Sequence, residues 1–141
     1  MRHIIILFSL IYLVSCGAPK EVKKEIKEKS LDKQMMEAYN EGLEALEQGD
    51  IIFATRKFNE AELLFPQSEW APRSSLMAAY AFWSQGYYRD SISELKRFLK
   101  LYPKYQNLDY VYYLLAMNYY DSIVNEKKDL RPLLEAKNIL L

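Results

Sequence analysis

A single cysteine, Cys16, is the residue of this 141-residue chain whose position points most clearly to chemistry. It ends the stretch Leu13-Val14-Ser15-Cys16 and follows an apolar run from Ile4 to Val14, which Arg2 and His3 precede. A short basic start, an apolar segment too short to span a bilayer and small residues at its end are typical of an export signal. The same residues also fit a plain secretory signal with a chance cysteine, or an N-terminal membrane anchor.

The stretch that ends at Cys16 resembles the lipobox of bacterial lipoprotein signals. The resemblance implies cleavage after Ser15, diacylation of the Cys16 sulfur and an acylated N-terminus that holds the chain at a membrane. Several acyl chains make such anchoring durable, because each buried CH₂ contributes about 0.8 kcal/mol. Gly17 stands where an aspartate would retain a lipoprotein at the inner membrane, so the resemblance implies the periplasmic face of the outer membrane. We therefore assign residues 1–15 to the signal peptide.

Histidine and cysteine each occur once in the chain, at His3 and Cys16. Removal of a signal peptide would remove His3, and acylation would consume the thiol of Cys16. Nucleophilic catalysis with a histidine base, and the common zinc sites, need these residue types, and a disulfide needs two cysteines. We therefore expect neither an enzyme nor a metal or other cofactor site.

The remaining charged residues do not indicate an acid–base site or a nucleic-acid partner. The carboxylate pairs Glu60 with Glu62 and Asp90 with Glu94 lie on predicted amphipathic helices, where such residues more often belong to a solvated face than to an acid–base pair. Lys plus Arg and Asp plus Glu number 19 each, so the chain is neutral. Nucleic-acid binding requires a basic face that displaces counterions, and we expect no nucleic-acid partner.

A charged tether is predicted between the cysteine and the folded part. The segment from Ala18 to Gln34 is rich in lysine and glutamate and poor in apolar residues. Such a segment cannot bury enough apolar surface to fold alone. Residues 16–34 are therefore interpreted as the lipidated cysteine and a flexible tether, and the folded part is expected to begin at Met35.

From Met35 onward the sequence repeats itself with a period of 37 residues, as the spacing of Gly49 and Gly86 and of Pro66 and Pro103 shows. Apolar residues at steps of three and four flank each glycine, which predicts two amphipathic helices per unit. Glycine suits the tight turn between them, and proline cannot continue the second helix. The pattern predicts an all-α array of helix–turn–helix units.

This pattern resembles the tetratricopeptide repeat. The first unit carries the small Gly42, the turn Gly49 and the helix B residues Ala54, Phe58 and Ala61. The resemblance implies a tetratricopeptide-like solenoid of about two and a half repeats. We place repeat 1 at residues 35–68, repeat 2 at 69–105 and an incomplete repeat 3 at 106–141.

The third unit departs from the pattern after its first helix, which is predicted to start near Asn107. Ile123 stands where the turn glycine would be, and a longer loop is expected before Pro132, which can start a helix because its missing N–H costs nothing there. A solenoid needs a polar terminal cap, and the apolar residues 139–141 are not one. We expect the chain to be the N-terminal part of a longer protein.

Two further stretches, residues 49–72 and 97–114, indicate a more specific family. Together with the lipobox they resemble the BamD family, the tetratricopeptide lipoproteins of the outer-membrane β-barrel assembly machinery. The resemblance implies a complex with BamA and other assembly-machinery lipoproteins, and a role in inserting unfolded outer-membrane protein precursors. The early repeats are the proposed receptor for the C-terminal targeting signal of these precursors.

The tetratricopeptide resemblance also predicts a peptide groove, because residues on either side of the small residue in each first helix face the concave surface. Arg73 is a candidate to bind a C-terminal carboxylate, since a guanidinium binds carboxylates bidentately. The alternative is that the aromatic residues are core between repeats, as we expect for Tyr112 and Tyr119. The predicted groove consists of Tyr39, Leu43, Arg73, Tyr80, Trp83, Tyr110, Tyr113, Met117 and Tyr120.

Two other functions stay open at this stage. The chain fits another envelope tetratricopeptide lipoprotein, such as a scaffold of pilus assembly or cell division, and depletion of the protein would distinguish lost pili from lost barrels. It also fits the N-terminal part of an enzyme whose catalytic domain lies beyond residue 141, which a longer reading frame would reveal.

Overall fold

A computed structural model describes residues 30–123 and 129–141 of the chain, and these form six α-helices without any strand. Each helix packs against the next one along the chain, and the third also touches the fifth, which is the packing of a tetratricopeptide-like solenoid. The predicted all-α fold class is confirmed. The helices are α1 (Leu31–Glu47), α2 (Ile51–Leu64), α3 (Trp70–Ser84), α4 (Tyr88–Leu101), α5 (Leu108–Asp121) and α6 (Arg131–Leu140).

Glycine forms the turn within each of the first two helix pairs, as predicted. Gly49 and Gly86 have φ angles of 79° and 78°, a region that residues with a Cβ atom rarely adopt. After Gly49, the Asp50 side chain accepts a hydrogen bond from the backbone N–H of Phe53 at 3.0 Å and so caps α2. The turn therefore ends α1 and starts α2 within three residues.

Proline ends the second helix of each of the first two pairs. Helices α2 and α4 end at Leu64 and Leu101, two residues before Pro66 and Pro103. A proline disfavours helical geometry in the residue before it, which places the helix end there. Helix α6 begins at Arg131 with Pro132 in its first turn, as expected of a proline that starts a helix.

The small residue of each first helix makes room for a large partner. A Cβ atom added to Gly42 would lie 2.8 Å from Cδ1 and Cε1 of the Phe58 ring, so α1 and α2 approach closely at this point. Phe58 is fully buried there. In the next pair, Ala79 and Leu95 occupy the corresponding positions and are buried in one apolar cluster.

The first helix begins earlier along the chain than predicted. Helix α1 begins at Leu31, within the segment predicted as tether, because Ser30 caps it by accepting a hydrogen bond from the N–H of Lys33. Helix α3 begins at Trp70, where the Ser68 hydroxyl accepts a hydrogen bond from the N–H of Ala71 at 3.2 Å. The remaining domain boundaries stay predictions.

The predicted signal peptide and Cys16 lie outside the described residues. Within residues 30–123 and 129–141, none of the helices has both the length and the apolar character needed to cross a membrane.

Candidate functional site

Four of the predicted groove residues form an aromatic face on α3 and α5, consisting of Tyr80, Trp83, Tyr110 and Tyr113. The rings of Tyr80 and Trp83 are 5.7 Å apart and those of Tyr110 and Tyr113 are 6.5 Å apart. Partial burial raises the pKa of the Tyr110 hydroxyl above its usual value, and the neighbouring Tyr80 and Tyr113 add to this shift. Tyr113 is 52% exposed. The structure thus brings aromatic rings with polar tips together on a partly open surface, which suits an amphipathic ligand.

Trp83 is held in place within the aromatic face. Its indole N–H donates a hydrogen bond of 2.8 Å to the Asp121 carboxylate, so a residue of α3 is bonded to the end of α5. Trp83 is half-buried and packs against the apolar cluster between these helices. The sequence does not predict this bond, because Asp121 lies 38 residues from Trp83 and no periodic pattern connects the two.

Met117 and Tyr120 continue the aromatic face into an apolar cleft between α5 and α6, the terminal cleft. It has a volume of about 430 Å³, and Tyr113 lines it together with these two residues and with Leu133 and Leu140 of α6. Because Tyr113 belongs to both surfaces, the aromatic face and the terminal cleft are continuous.

Tyr39 and Leu43, predicted for the same groove, lie in the packing between repeats. The Tyr39 ring makes edge contacts with Phe58 and Trp70, at centroid distances of 5.5 and 5.2 Å. Burial raises the pKa of the Tyr39 hydroxyl. Leu43 packs against the apolar cluster that surrounds Phe58. The aromatic surface open to a ligand therefore begins at α3 rather than α1.

Tyr112 and Tyr119 had been predicted as core between repeats, but only Tyr119 is packed in this way. Tyr112 is exposed, so that prediction is wrong for it, because the packed face of α5 is formed by Val111, Leu114 and Leu115. Tyr119 is partly buried and packs against the cluster of these residues, as predicted.

Arg73 lies beside a separate cavity of about 740 Å³, here called the basic cavity. Arg73 is seven residues before Tyr80 on α3, which places it on the same helix face about 10 Å away. Its guanidinium stacks on Trp70, with Cζ 5.0 Å from the ring centroid. The other wall is the loop after α4, which contributes Lys104 and Tyr105.

The charge of the basic cavity favours an anion. Arg73 and Lys104 form no ion pair with any described residue, and Glu69 is the one acidic residue among the side chains that line the cavity. Helical phase does not predict Lys104, because Lys104 lies in the loop between α4 and α5.

A buried polar cluster lies beneath the loop wall of the basic cavity. Glu62 of α2 is 4% exposed and accepts hydrogen bonds from Arg97 on α4, at 3.0 and 2.6 Å, and from the Tyr102 hydroxyl, at 2.7 Å. Its hydrogen bonds to Glu62 raise the pKa of Arg97. Burial is the main reason why the pKa of the Tyr102 hydroxyl is raised as well. We refer to these three residues as the Glu62 network.

The prediction that Glu62 belongs to a solvated face is therefore wrong. The Glu94 side chain is also only 22% exposed, and it accepts a hydrogen bond of 2.8 Å from Arg97. The spacing of Thr55, Phe58 and Glu62 puts all three on the buried side of α2, and that spacing could have identified Glu62. Residues 30–123 and 129–141 contain no cluster of three or more potential metal ligands.

Comparison with known proteins gives consistent matches. The sequence profile of the YfiO family, described as "Outer membrane lipoprotein", matches residues 31–140. The chain is 36% identical over 91 residues to the outer membrane protein assembly factor BamD of Caulobacter vibrioides, an alignment that covers 64% of this chain and 30% of the relative. It is 31% identical over 91 residues to BamD of Rickettsia prowazekii, covering 64% of this chain and 36% of the relative.

A longer alignment reaches the BamD protein of Neisseria meningitidis serogroup A. It has 28% identity over 118 residues and covers 83% of this chain and 44% of the relative. The chain thus spans less than half the length of the curated relatives it matches.

Proposed function

The chain belongs to the YfiO family of outer-membrane lipoproteins, and from that premise we propose that it is a lipid-anchored scaffold of the β-barrel assembly machinery. The related proteins are named outer membrane protein assembly factors, and in this proposal the chain acts by binding rather than by catalysis. In this proposal the chain binds unfolded barrel precursors and supports their insertion into the outer membrane.

The observation that carries the proposal is the position of the aromatic face and the basic cavity on one face of α3. An extended peptide that ends in an aromatic residue and a free carboxylate would place its carboxylate between Arg73 and Lys104. Its preceding side chains would then lie along Tyr80 and Tyr113. An extended chain rises about 3.3 Å per residue, so three residues cover the distance of about 10 Å between Arg73 and Tyr80.

The aromatic part of this site is tested by alanine variants in a peptide-binding assay. Tyr113→Ala and Trp83→Ala should each weaken binding, and Trp83→Ala by roughly thirtyfold or more, because truncating an aromatic anchor commonly costs about 2 kcal/mol or more. Tyr113 is the cleaner position, since it is more than half exposed and its truncation leaves the core intact. Tyr112→Ala is the matched control, an exposed tyrosine of the same helix that lies outside the aromatic face. Equal binding by Tyr113→Ala, Trp83→Ala and the parent would exclude the aromatic face as the receptor.

The basic cavity is tested with two forms of one peptide, measured by fluorescence anisotropy. Arg73→Ala and Lys104→Ala should weaken binding of the peptide with a free C-terminal carboxylate by about tenfold, as expected for loss of a charge-assisted hydrogen bond. Binding of the amidated peptide should not change. An equal loss for both forms would show that the two cations do not recognise the carboxylate.

The membrane anchor in this proposal is the diacylated Cys16, at the periplasmic face of the outer membrane. Cells grown with labelled palmitate should yield labelled protein with Cys16 at its mature N-terminus, and Cys16→Ser should abolish both label and processing. Unlabelled protein that begins at another residue would exclude the anchor.

The partners in this proposal are BamA and the other lipoproteins of the assembly machinery. They are tested by co-purification from detergent extracts, with the full-length relative from Caulobacter vibrioides as the reference for complete binding. Recovery of BamA with the relative but not with this chain would assign that contact to the part of the relatives that this chain does not span.

A further inference from the structure

We propose that Glu62 is a positioning residue for the basic cavity, which it shapes through Tyr102 without touching the ligand. The ligand in this inference is the one of the proposed function, a peptide C-terminus with a free carboxylate. Glu62 lies on α2, whereas the wall it supports is the loop between α4 and α5. The buried Glu62 carboxylate would thus set the distance between Arg73 on α3 and Lys104 on the loop after α4.

Tyr102 connects Glu62 to the loop. The Tyr102 hydroxyl donates to Oε1 of Glu62 at 2.7 Å, and its ring packs on Phe98 with a centroid distance of 5.0 Å. The backbone carbonyl of Tyr102 accepts a hydrogen bond of 3.1 Å from the N–H of Tyr105. The Tyr105 ring makes an edge contact with the same Phe98, at 5.3 Å. The turn that carries Lys104 is therefore held to Tyr102 by this backbone hydrogen bond and by the shared packing on Phe98.

Glu62 is itself held from the other side by Arg97. The two terminal nitrogens of Arg97 bond to different carboxylate oxygens of Glu62, at 3.0 and 2.6 Å. Arg97 is fixed in turn by Glu94, at 2.8 Å, and by the hydroxyl of the fully buried Ser75, at 3.0 Å. A side chain held in this way presents its acceptor to Tyr102 at a fixed place, as second-sphere residues do in preformed sites.

No other side-chain hydrogen bond to residues 102–106 is found among the described residues. The loop is thus anchored by the packing on Phe98, by the backbone hydrogen bond of 2.8 Å from the Tyr102 N–H to the Phe98 carbonyl, and by one side-chain hydrogen bond to a buried carboxylate. Loss of the side-chain bond would leave the helices in place but loosen the segment that carries Lys104. Because Arg73 lies on α3, the separation of the two cations depends on this segment.

The first test measures the loop without any ligand. Tyr102→Phe removes only the hydroxyl and keeps both the ring packing and the Glu62–Arg97 pair. Amide hydrogen exchange at Tyr105 should become about tenfold faster, because a hydrogen bond to a charged group contributes that order to local stability. Tyr87→Phe is the matched control, since its exposed hydroxyl makes no hydrogen bond in the described part of the chain. A change of less than twofold at Tyr105 would overturn the inference.

Glu62→Met is the second variant and removes the carboxylate itself. It should speed exchange at Tyr105 as Tyr102→Phe does, in addition to lowering the stability of the whole array. If Glu62→Met does not fold, Tyr102→Phe still decides the question.

The second test measures discrimination between the free and amidated forms of the peptide. Tyr102→Phe should reduce the preference for the free carboxylate to a third or less, while affinity for the amidated peptide changes less than twofold. A purely structural role would weaken both forms equally, and that result would overturn the inference. If the parent protein binds neither form, the proposed function fails, and the exchange at Tyr105 still tests whether Glu62 positions the loop.

Discussion

Glu62 and Arg97 form a bidentate pair between α2 and α4, two helices that are not consecutive in the chain. The Glu62 side chain is 6% exposed, whereas that of Arg97 is 38% exposed. The pair therefore joins the second helix of one repeat to the second helix of the next. It is the one ion pair among the described residues that connects helices of different repeats.

Arg97→Met should lower the free energy of unfolding by about 2 kcal/mol, because it leaves the Glu62 carboxylate buried without its cation. The value lies below that of a fully buried pair, since Arg97 is partly solvated. The measurement is urea unfolding followed by circular dichroism. The double variant Glu62→Met with Arg97→Met should recover part of the loss, since it removes both charges.

Lys57→Met is the control for this experiment. Lys57 pairs with Glu41 and Glu60 at 2.8 and 2.9 Å, and these carboxylates are 50% and 47% exposed, so solvent weakens the pairs. Its effect should be much smaller than that of Arg97→Met. Equal effects would show that burial does not distinguish the two pairs.

Gly42→Ala should destabilise the protein by about 1–3 kcal/mol, although alanine is the better helix former. The added Cβ would lie 2.8 Å from the Phe58 ring, and overpacking of a full core has a cost of this size. Adding Phe58→Leu should restore most of the stability, because Ala79 and Leu95 already occupy these positions in the next repeat. Thermal unfolding of the single and double variants measures both effects.

Gly49→Ala provides the contrast. Its Cβ would meet no atom within 4 Å, so its cost comes from the φ angle of 79° alone. Phe58→Leu should therefore not rescue Gly49→Ala. A rescue there would contradict the packing explanation for Gly42.

Stability should fall as the pH rises above about 10, the ordinary pKa of tyrosine. Burial and the hydrogen bond to Glu62 raise the pKa of Tyr102 in the folded chain, so the fold favours the neutral phenol. This contribution is fully present below pH about 10 and is lost as the pH rises through the folded pKa. Urea unfolding at several alkaline pH values should show a shallower decline for Tyr102→Phe than for the parent. An identical decline would exclude Tyr102 as a source of the pH dependence.

Asp121→Ala should change the fluorescence emission of Trp83, because the indole N–H loses its carboxylate partner at 2.8 Å. A Trp70→Phe background isolates the signal, since the chain has two tryptophans. The free energy of unfolding should fall by only about 1 kcal/mol, because water can accept a hydrogen bond from the half-buried Trp83 indole N–H in place of Asp121. Asp109→Ala, which changes an exposed aspartate of the same helix, should leave the emission unchanged. A shift in both variants would argue against a specific bond.

The helix pairs, turns and helix ends follow from local rules in the sequence. Gly49 and Pro66 act on their own neighbours, so their effects can be predicted without knowing the rest of the fold. The start of α1 was placed too late because the lysine-rich composition before it hid a single capping serine, Ser30.

The candidate site was less predictable, because its parts come from contacts over long sequence distances. Helical spacing places Glu62, unlike Glu60, on the buried side of α2, but it does not identify the partner of the Glu62 carboxylate, which is 35 residues away. Helical phase found Arg73 and the aromatic face but could not find Lys104, which a loop brings to the same cavity.

The Gly42–Phe58 and Ala79–Leu95 pairs also limit how such an array can evolve by recombination. Each pair combines a small residue on the first helix with a large one on the second. The first pair has the smaller small residue and the larger large one, glycine with phenylalanine, whereas the second has alanine with leucine. Exchange of α1 with α3 alone would set alanine against phenylalanine in one unit and glycine against leucine in the other, producing one clash and one void. Exchange of whole helix pairs would produce neither at these positions. The viable crossover points therefore lie between the repeats, after Leu64 or Leu101, and the helix pair is the smallest segment that can be inherited intact.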